Sequence, residues 1–167
     1  MTSTRAPVDG RTDFDFLFGR WTIHNRKLAD VLDPDCTEWV EFPARGEARP
    51  ILAGLGNIDS FIAADVAGTG PYEGMTLRLF DPQAGVWRIW WASTRQPGHL
   101  DVPMEGRFVD GHGVFHCDDV LNGQPVKVRF DWTPGDVSAR WEQAFSYDGG
   151  QTWRPNWVMV FTRDADA

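Results

Sequence analysis

Residues Gly113–Trp132 read GVFHCDDVLNGQPVKVRFDW. Downstream of Asn122-Gly123, Val126, Val128, Phe130 and Trp132 recur at every second position, opposite Lys127, Arg129 and Asp131. A period of two is the spacing at which a β-strand turns one face to a core and the other to water. Upstream, Phe115 and Cys117 alternate with His116 and Asp118, and the apolar pair is the inner one. Asn-Gly between two alternating runs supplies the two positive-φ residues of a tight hairpin turn. The stretch is therefore a β-hairpin.

The same pattern extends in both directions. Alternation and turn punctuation predict strands over Trp21–Leu28, Thr37–Glu47, Arg49–Ile62, Tyr72–Asp81, Val86–Ser93, Met104–Val109, Gly113–Leu121, Gln124–Trp132, Ser138–Tyr147 and Arg154–Arg163. In Ser138–Tyr147, Ala139, Trp141, Gln143 and Phe145 share the inner face. In Thr37–Glu47 neither face is clean: Trp39, Glu41 and Arg45 share one, Val40, Phe42 and Ala44 the other. Either a bulge at Pro43 or polar groups in the interior would account for that. Gly54-Leu55-Gly56-Asn57 lacks the following helix of a phosphate-binding loop and reads as a bend. Residues 1–12 form a flexible N-terminal segment in this reading, and 13–167 a single domain. Asp13–Phe18 (DFDFLF) is an apolar helical turn suited to plugging an opening. With no crossover helices, the expected fold is all-β: a closed antiparallel up-and-down barrel of about ten strands, which removes the exposed edges of an open sheet. A barrel of that size is wider than its own side chains fill, so a cavity is expected.

Composition narrows the function. The formal charge of −8 opposes phosphate backbones and anionic membranes, so neither nucleic acid nor membrane is an expected partner. No apolar run is long enough for a bilayer span, and the first residues, MTSTRAPVDGRTD, carry no signal-like segment; a cytoplasmic location is the expectation. Two cysteines, Cys36 and Cys117, are too few for a disulfide framework. Nine Trp, eleven Phe and two Tyr exceed what one small core needs, so the surplus is expected to line a cavity or to form a homodimer contact.

Candidate site residues follow from inward polar groups and indoles. Glu41, Asn57, Arg78 and Gln143 are predicted to orient a ligand, with Glu142 a weaker candidate, and Glu41 with Arg78 could form an ion pair or an acid–base couple. Trp39, Trp90, Phe115, Phe130, Trp141 and Trp157 complete the predicted lining; Trp90 and Trp91, being adjacent, must face opposite ways. His116 and Asp118 have a metal-ligand spacing but lie on the outer face, with His112 too far along the strand to join them, so no metal is expected. A Cys117–His nucleophile pair is weighed against the inertness of buried thiols, which prevails.

Gly19-Arg20-Trp21 at the start of the first strand, with Arg163 in the last, resembles the signature of lipocalin-like (calycin) barrels. That resemblance implies an indole lying across the barrel floor with a guanidinium stacked over it. DFDFLFGRW (Asp13–Trp21) is similar to the opening of a bacterial single-domain lipocalin-like family. Some lipocalin-like barrels, the nitrobindins, hold haem through a C-terminal histidine; Ala139–Ala167 contains none, so no cofactor is expected. Ser146–Trp153 (SYDGGQTW) resembles the Asp-box hairpin and is read as structural. The expected function is binding of a small hydrophobic or aromatic molecule inside the barrel. The alternative is a cofactor-free isomerase, cyclase or hydratase in the same cavity.

Overall fold

The computed structural model describes residues 9–165. Asn122 and Gly123 take φ of 49° and 76°, and the chain reverses between β7 (His112–Leu121) and β8 (Gln124–Thr133) with Phe115 opposite Phe130 and Cys117 opposite Val128. Eight further strands complete the ring: β1 Gly19–Leu28, β2 Trp39–Ile51, β3 Gly56–Ala63, β4 Tyr72–Asp81, β5 Val86–Ser93, β6 Met104–Val109, β9 Ser138–Ser146 and β10 Arg154–Arg163. Each pairs antiparallel with its sequence neighbours, and β10 returns to pair with β1, Trp21 opposite Arg163. The result is a closed ten-strand up-and-down barrel with no free edge.

Two local expectations change. Arg49–Ile51 continues β2, and the chain turns at Leu52–Gly54, so the predicted Arg49–Ile62 strand divides between β2 and β3. Leu52, Ala53 and Gly54 all have positive φ, which a strand cannot accommodate. No bulge occurs at Pro43: β1 and β2 stay in register from Gly19–Ala48 to Leu28–Trp39. Phe42, Ala44 and Ala48 point inward, while Glu41, Pro43 and Arg45 are exposed. The irregularity lies instead in β10, between Pro155 and Trp157.

One end of the barrel is sealed by sequence-local devices. Of the N-terminal segment, residues 1–8 lie outside the described residues; Gly10–Thr12 and Asp15–Leu17 are single 3-10 turns. Phe14 between them is fully buried, edge-on to Trp87 (5.0 Å) and Phe108 (4.9 Å) and stacked on Phe115 (5.8 Å). Trp87 Nε1 donates to the Gly10 carbonyl at 3.0 Å, which ties the plug to β5. Trp21 Nε1 donates to the Leu17 carbonyl at 2.8 Å, and the Arg163 guanidinium lies 4.1 Å from the Trp21 ring centroid. Arg163 also donates to the carbonyls of Phe16 and Phe18 at 2.6 Å and of Asp136 at 2.9 Å. Its fork thus satisfies carbonyls of the plug while covering the indole.

The opposite end carries the long connections 29–38, 64–71 and 94–103. Arg154 donates to the carbonyls of Pro34 and Cys36 and anchors the first of them. The β9–β10 hairpin is organised by Asp148, which accepts from Ser146 Oγ, Thr152 N and Thr152 Oγ1 at 2.6–2.9 Å. Trp153 leaves this hairpin across the outer wall, beneath Arg129 (4.7 Å) and beside His116 (5.8 Å).

Candidate functional site

Inside the ring is a cavity of about 780 Å³, closed by the plug below and opening between the long loops. That volume falls in the range of small-molecule pockets. Its walls follow strand parity. β10 contributes Trp157, Met159 and Phe161; β9 contributes Trp141, Gln143 and Phe145; β8 contributes Val128, Phe130 and Trp132. β5 contributes Ile89, Trp91 and Ser93. The Trp91 indole needs the bare backbone of Gly74 on β4: a Cβ there would lie 2.1 Å from its ring. Rings meet edge-on through the lumen, Phe130 on Trp141 at 4.9 Å, Trp141 on Trp157 at 5.6 Å and Phe61 on Trp91 at 5.9 Å.

A polar group stands at the deep end. Asn57 and Asp59 on β3 lie directly opposite Arg78 and Thr76 on β4. Period two turns all four side chains inward. Arg78 is 3% exposed; its Nη1 lies 2.7 Å from Asp59 Oδ2 and donates to Asn57 Oδ1 at 2.9 Å. Its guanidinium lies 5.0 Å from the Phe14 ring and 5.7 Å from that of Trp132, so the plug supports the site from below. Asp59 is 16% exposed and, with Thr76, faces the cavity. Arg78 Nε and Asn57 Nδ2 are buried with no hydrogen-bond partner among the protein atoms.

Higher up, Asn25 is fully buried and accepts from Trp157 Nε1 at 3.0 Å, which sets the angle of that indole. Gln143 donates to Asn156 Oδ1 at 2.9 Å. At the mouth, Lys27 Nζ lies 5.1 Å from the Trp157 centroid and the Arg95 guanidinium 4.8 Å from that of Tyr72. Burial, reinforced by Arg95, holds the Lys27 ammonium below its usual pKa. Burial raises the pKa of Tyr72 and of Asp101, and takes that of the Cys117 thiol to about 12. Cys117 is thus a protonated, unreactive wall residue at neutral pH.

Of the predicted site residues, Arg78, Phe130, Trp141, Gln143 and Trp157 line the cavity, and Asn57 supports Arg78 from behind. Four lie elsewhere. Glu41 is on the outer wall, 61% exposed and 3.0 Å from His24 Nε2, so the Glu41–Arg78 pair does not form; Asp59 takes its place. Trp39 also faces outward, under the Arg26 guanidinium at 4.3 Å. Trp90 is outside and Trp91 inside, because β4–β5 pairing places Trp91 opposite inward Thr76. Phe115 is fully buried beside Phe14, in the packed floor below the cavity. Glu142 is on the outer wall, 2.8 Å from Arg140. His116 and Asp118 face outward, and among the described residues no group of three or more His, Cys, Asp or Glu converges as a metal site.

Sequence reasoning missed Asn25, Asp59, Thr76, Tyr72, Lys27 and Arg95. Two of these had a readable signal: Asn57-x-Asp59 and Thr76-x-Arg78 place polar pairs on the inner faces of adjacent strands. Among the described residues no helix is long and apolar enough to cross a membrane. Comparison with known protein families and with curated proteins found no match for the chain.

Proposed function

We propose that this chain is a lipocalin-like binding protein that takes up a small, largely apolar molecule bearing flat or ring-shaped groups, with a polar substituent at its inner end directed at Asp59 and Thr76. The observation that carries this reading is a roughly 780 Å³ aromatic-walled cavity with a buried Arg78–Asp59 pair at its deep end. An apolar body gains from leaving water, and edge-on indoles favour rings over flexible chains. A hydroxyl or amide N–H on the ligand would meet the Asp59 carboxylate, the more accessible member of the pair. The partner is thus a small molecule rather than nucleic acid or a membrane, in line with the acidic composition.

Five tryptophans face or border the cavity, so binding should be visible in intrinsic fluorescence. The test is titration of the protein with a panel of neutral ring compounds and terpenoids while indole emission is recorded. Saturable quenching or a blue shift by some members is expected; an unresponsive emission across the whole panel would overturn the reading.

A second reading is favoured by one observation only. Asp59, beside a guanidinium and open to an otherwise apolar chamber, has the setting of a general base for a cofactor-free isomerase, cyclase or hydratase. It requires turnover that vanishes in Asp59→Asn while ligand affinity persists; loss of affinity with no turnover in the parent returns the first reading.

A further inference from the structure

We infer that the ligand is an amphiphilic anion whose oxyanion head, of carboxylate type, sits at the cavity mouth between Lys27 and Arg95 while its apolar body fills the aromatic chamber. This inference rests on the binding reading above and adds the charge and orientation of the ligand.

The argument begins with cost. Lys27 is half-buried on the inner face of β1, its stem and ammonium laid against Trp157. Among the described residues neither Lys27 nor Arg95 makes an ion pair; Arg95 has only the Thr69 hydroxyl, at 3.1 Å. Other unpaired guanidiniums, such as Arg45 and Arg49, stand on the exposed outer wall where water solvates them. Lys27 lacks that relief. Two cations held near one another, one of them desolvated, are unfavourable in the empty protein and favourable once an anion arrives.

Geometry supplies the second part. The rings beneath the two cations, Trp157 and Tyr72, come from strands that are not neighbours, yet approach to 6.3 Å. The cations therefore cap a single aromatic partition at the entrance. The acidic groups of the mouth are Asp101 (beside His99 at 3.7 Å), on the same β5–β6 connection as Arg95, Asp119 on β7, and Asp30, which approaches Lys27 from the β1–β2 loop; among the described residues none of them forms an ion pair with either cation. An otherwise acidic chain repels anions over most of its surface, so the cationic spot also selects where a head group docks.

The test uses N-phenyl-1-naphthylamine, a neutral fluorescent ring compound, as the cavity reporter, displaced by decanoate or by decanol. Decanoate should displace it at a concentration about tenfold lower than decanol. In Lys27→Met/Arg95→Gln that ratio should fall to near one, and in Arg95→Gln, a change at an exposed side chain, to an intermediate value. The ratio is internal to each protein, so a general loss of affinity cancels. A ratio near one in the parent protein, or a ratio unchanged in both variants, overturns the inference while leaving the cavity reading intact. Failure of the reporter and of both displacers to bind the parent protein overturns the cavity reading itself, and the inference with it.

Discussion

At the scale of single residues, the contrast between two carboxylates explains where this molecule concentrates its electrostatic effort. Glu41 and His24 face water on both sides of their contact, and such a pair contributes little. Arg78 is enclosed, and among the described residues Asp59 is its only counter-charge. Removing one partner of an enclosed pair leaves the other desolvated and uncompensated, which costs far more than the pair is worth as a whole. Asp59→Asn should therefore lower stability by about 3 kcal/mol, read from the guanidinium midpoint at constant m-value. Glu41→Gln should change it by less than about 0.5 kcal/mol. Replacing both members with apolar residues, Arg78→Met with Asp59→Leu, should recover most of the loss. Similar costs for Asp59→Asn and Glu41→Gln would show that the deep pair is solvated through the cavity and does not act as a buried charge.

At the scale of elements, the β9–β10 hairpin is held by one carboxylate. Three hydrogen bonds from Thr152 and Ser146 favour the ionised form of Asp148 and depress its pKa from 3.8 to about 2. Because the folded value lies below the unfolded one, the contribution is complete above about pH 4 and is lost as pH falls through 2. Asp148→Asn should flatten the acid limb of the thermal-stability profile in that window and leave the neutral limb parallel; superimposable acid limbs would exclude the role. The hairpin's position and turn were legible from Ser146–Trp153, as was the inner face of β8, where Val126, Val128 and Trp132 are buried as the alternation required. Parity failed where both faces carry large apolar groups. Trp39 is chemically indistinguishable from a cavity indole; it shares its face with exposed Glu41 and Pro43, and Arg26 stacks on it. Trp90 and Trp91 cannot be separated by composition at all; cross-strand pairing decides between them, and the only local trace is Gly74, whose missing side chain makes room for one indole. Asp59 was overlooked because an acidic residue in a strand ordinarily faces solvent, and what turns it inward is a guanidinium two residues off in register on the next strand.

At the scale of the whole molecule, the barrel is unevenly closed. β1 pairs with β2 along its full length, whereas β5 meets β6 only through Trp87–Ile89 against Met104–Gly106. Beyond Ile89 this seam is continued by one bond, from Asp101 N to the Trp91 carbonyl at 2.8 Å. The connection that starts there, residues 94–103, carries Arg95, His99 and Asp101 at the cavity mouth. The plug end, by contrast, is tied by Phe14, Trp21 and Arg163 through buried contacts and short carbonyl bonds. Local opening follows the region with the fewest buried contacts and ladder bonds, so the ring should part first at the β5–β6 seam, on the side where a ligand must enter. In hydrogen exchange followed by mass spectrometry, peptides covering 90–109 should therefore take up deuterium well before those covering 19–28 and 154–163. A bound cavity ligand stabilises the closed state by mass action, about 2.7 kcal/mol at a hundred times its Kd, and so should slow exchange in 90–109 by up to about a hundredfold. Exchange that proceeds evenly around the ring, or ligand protection confined to the plug, would mean that entry uses a different route and that the short seam is only a geometric consequence of closing ten strands.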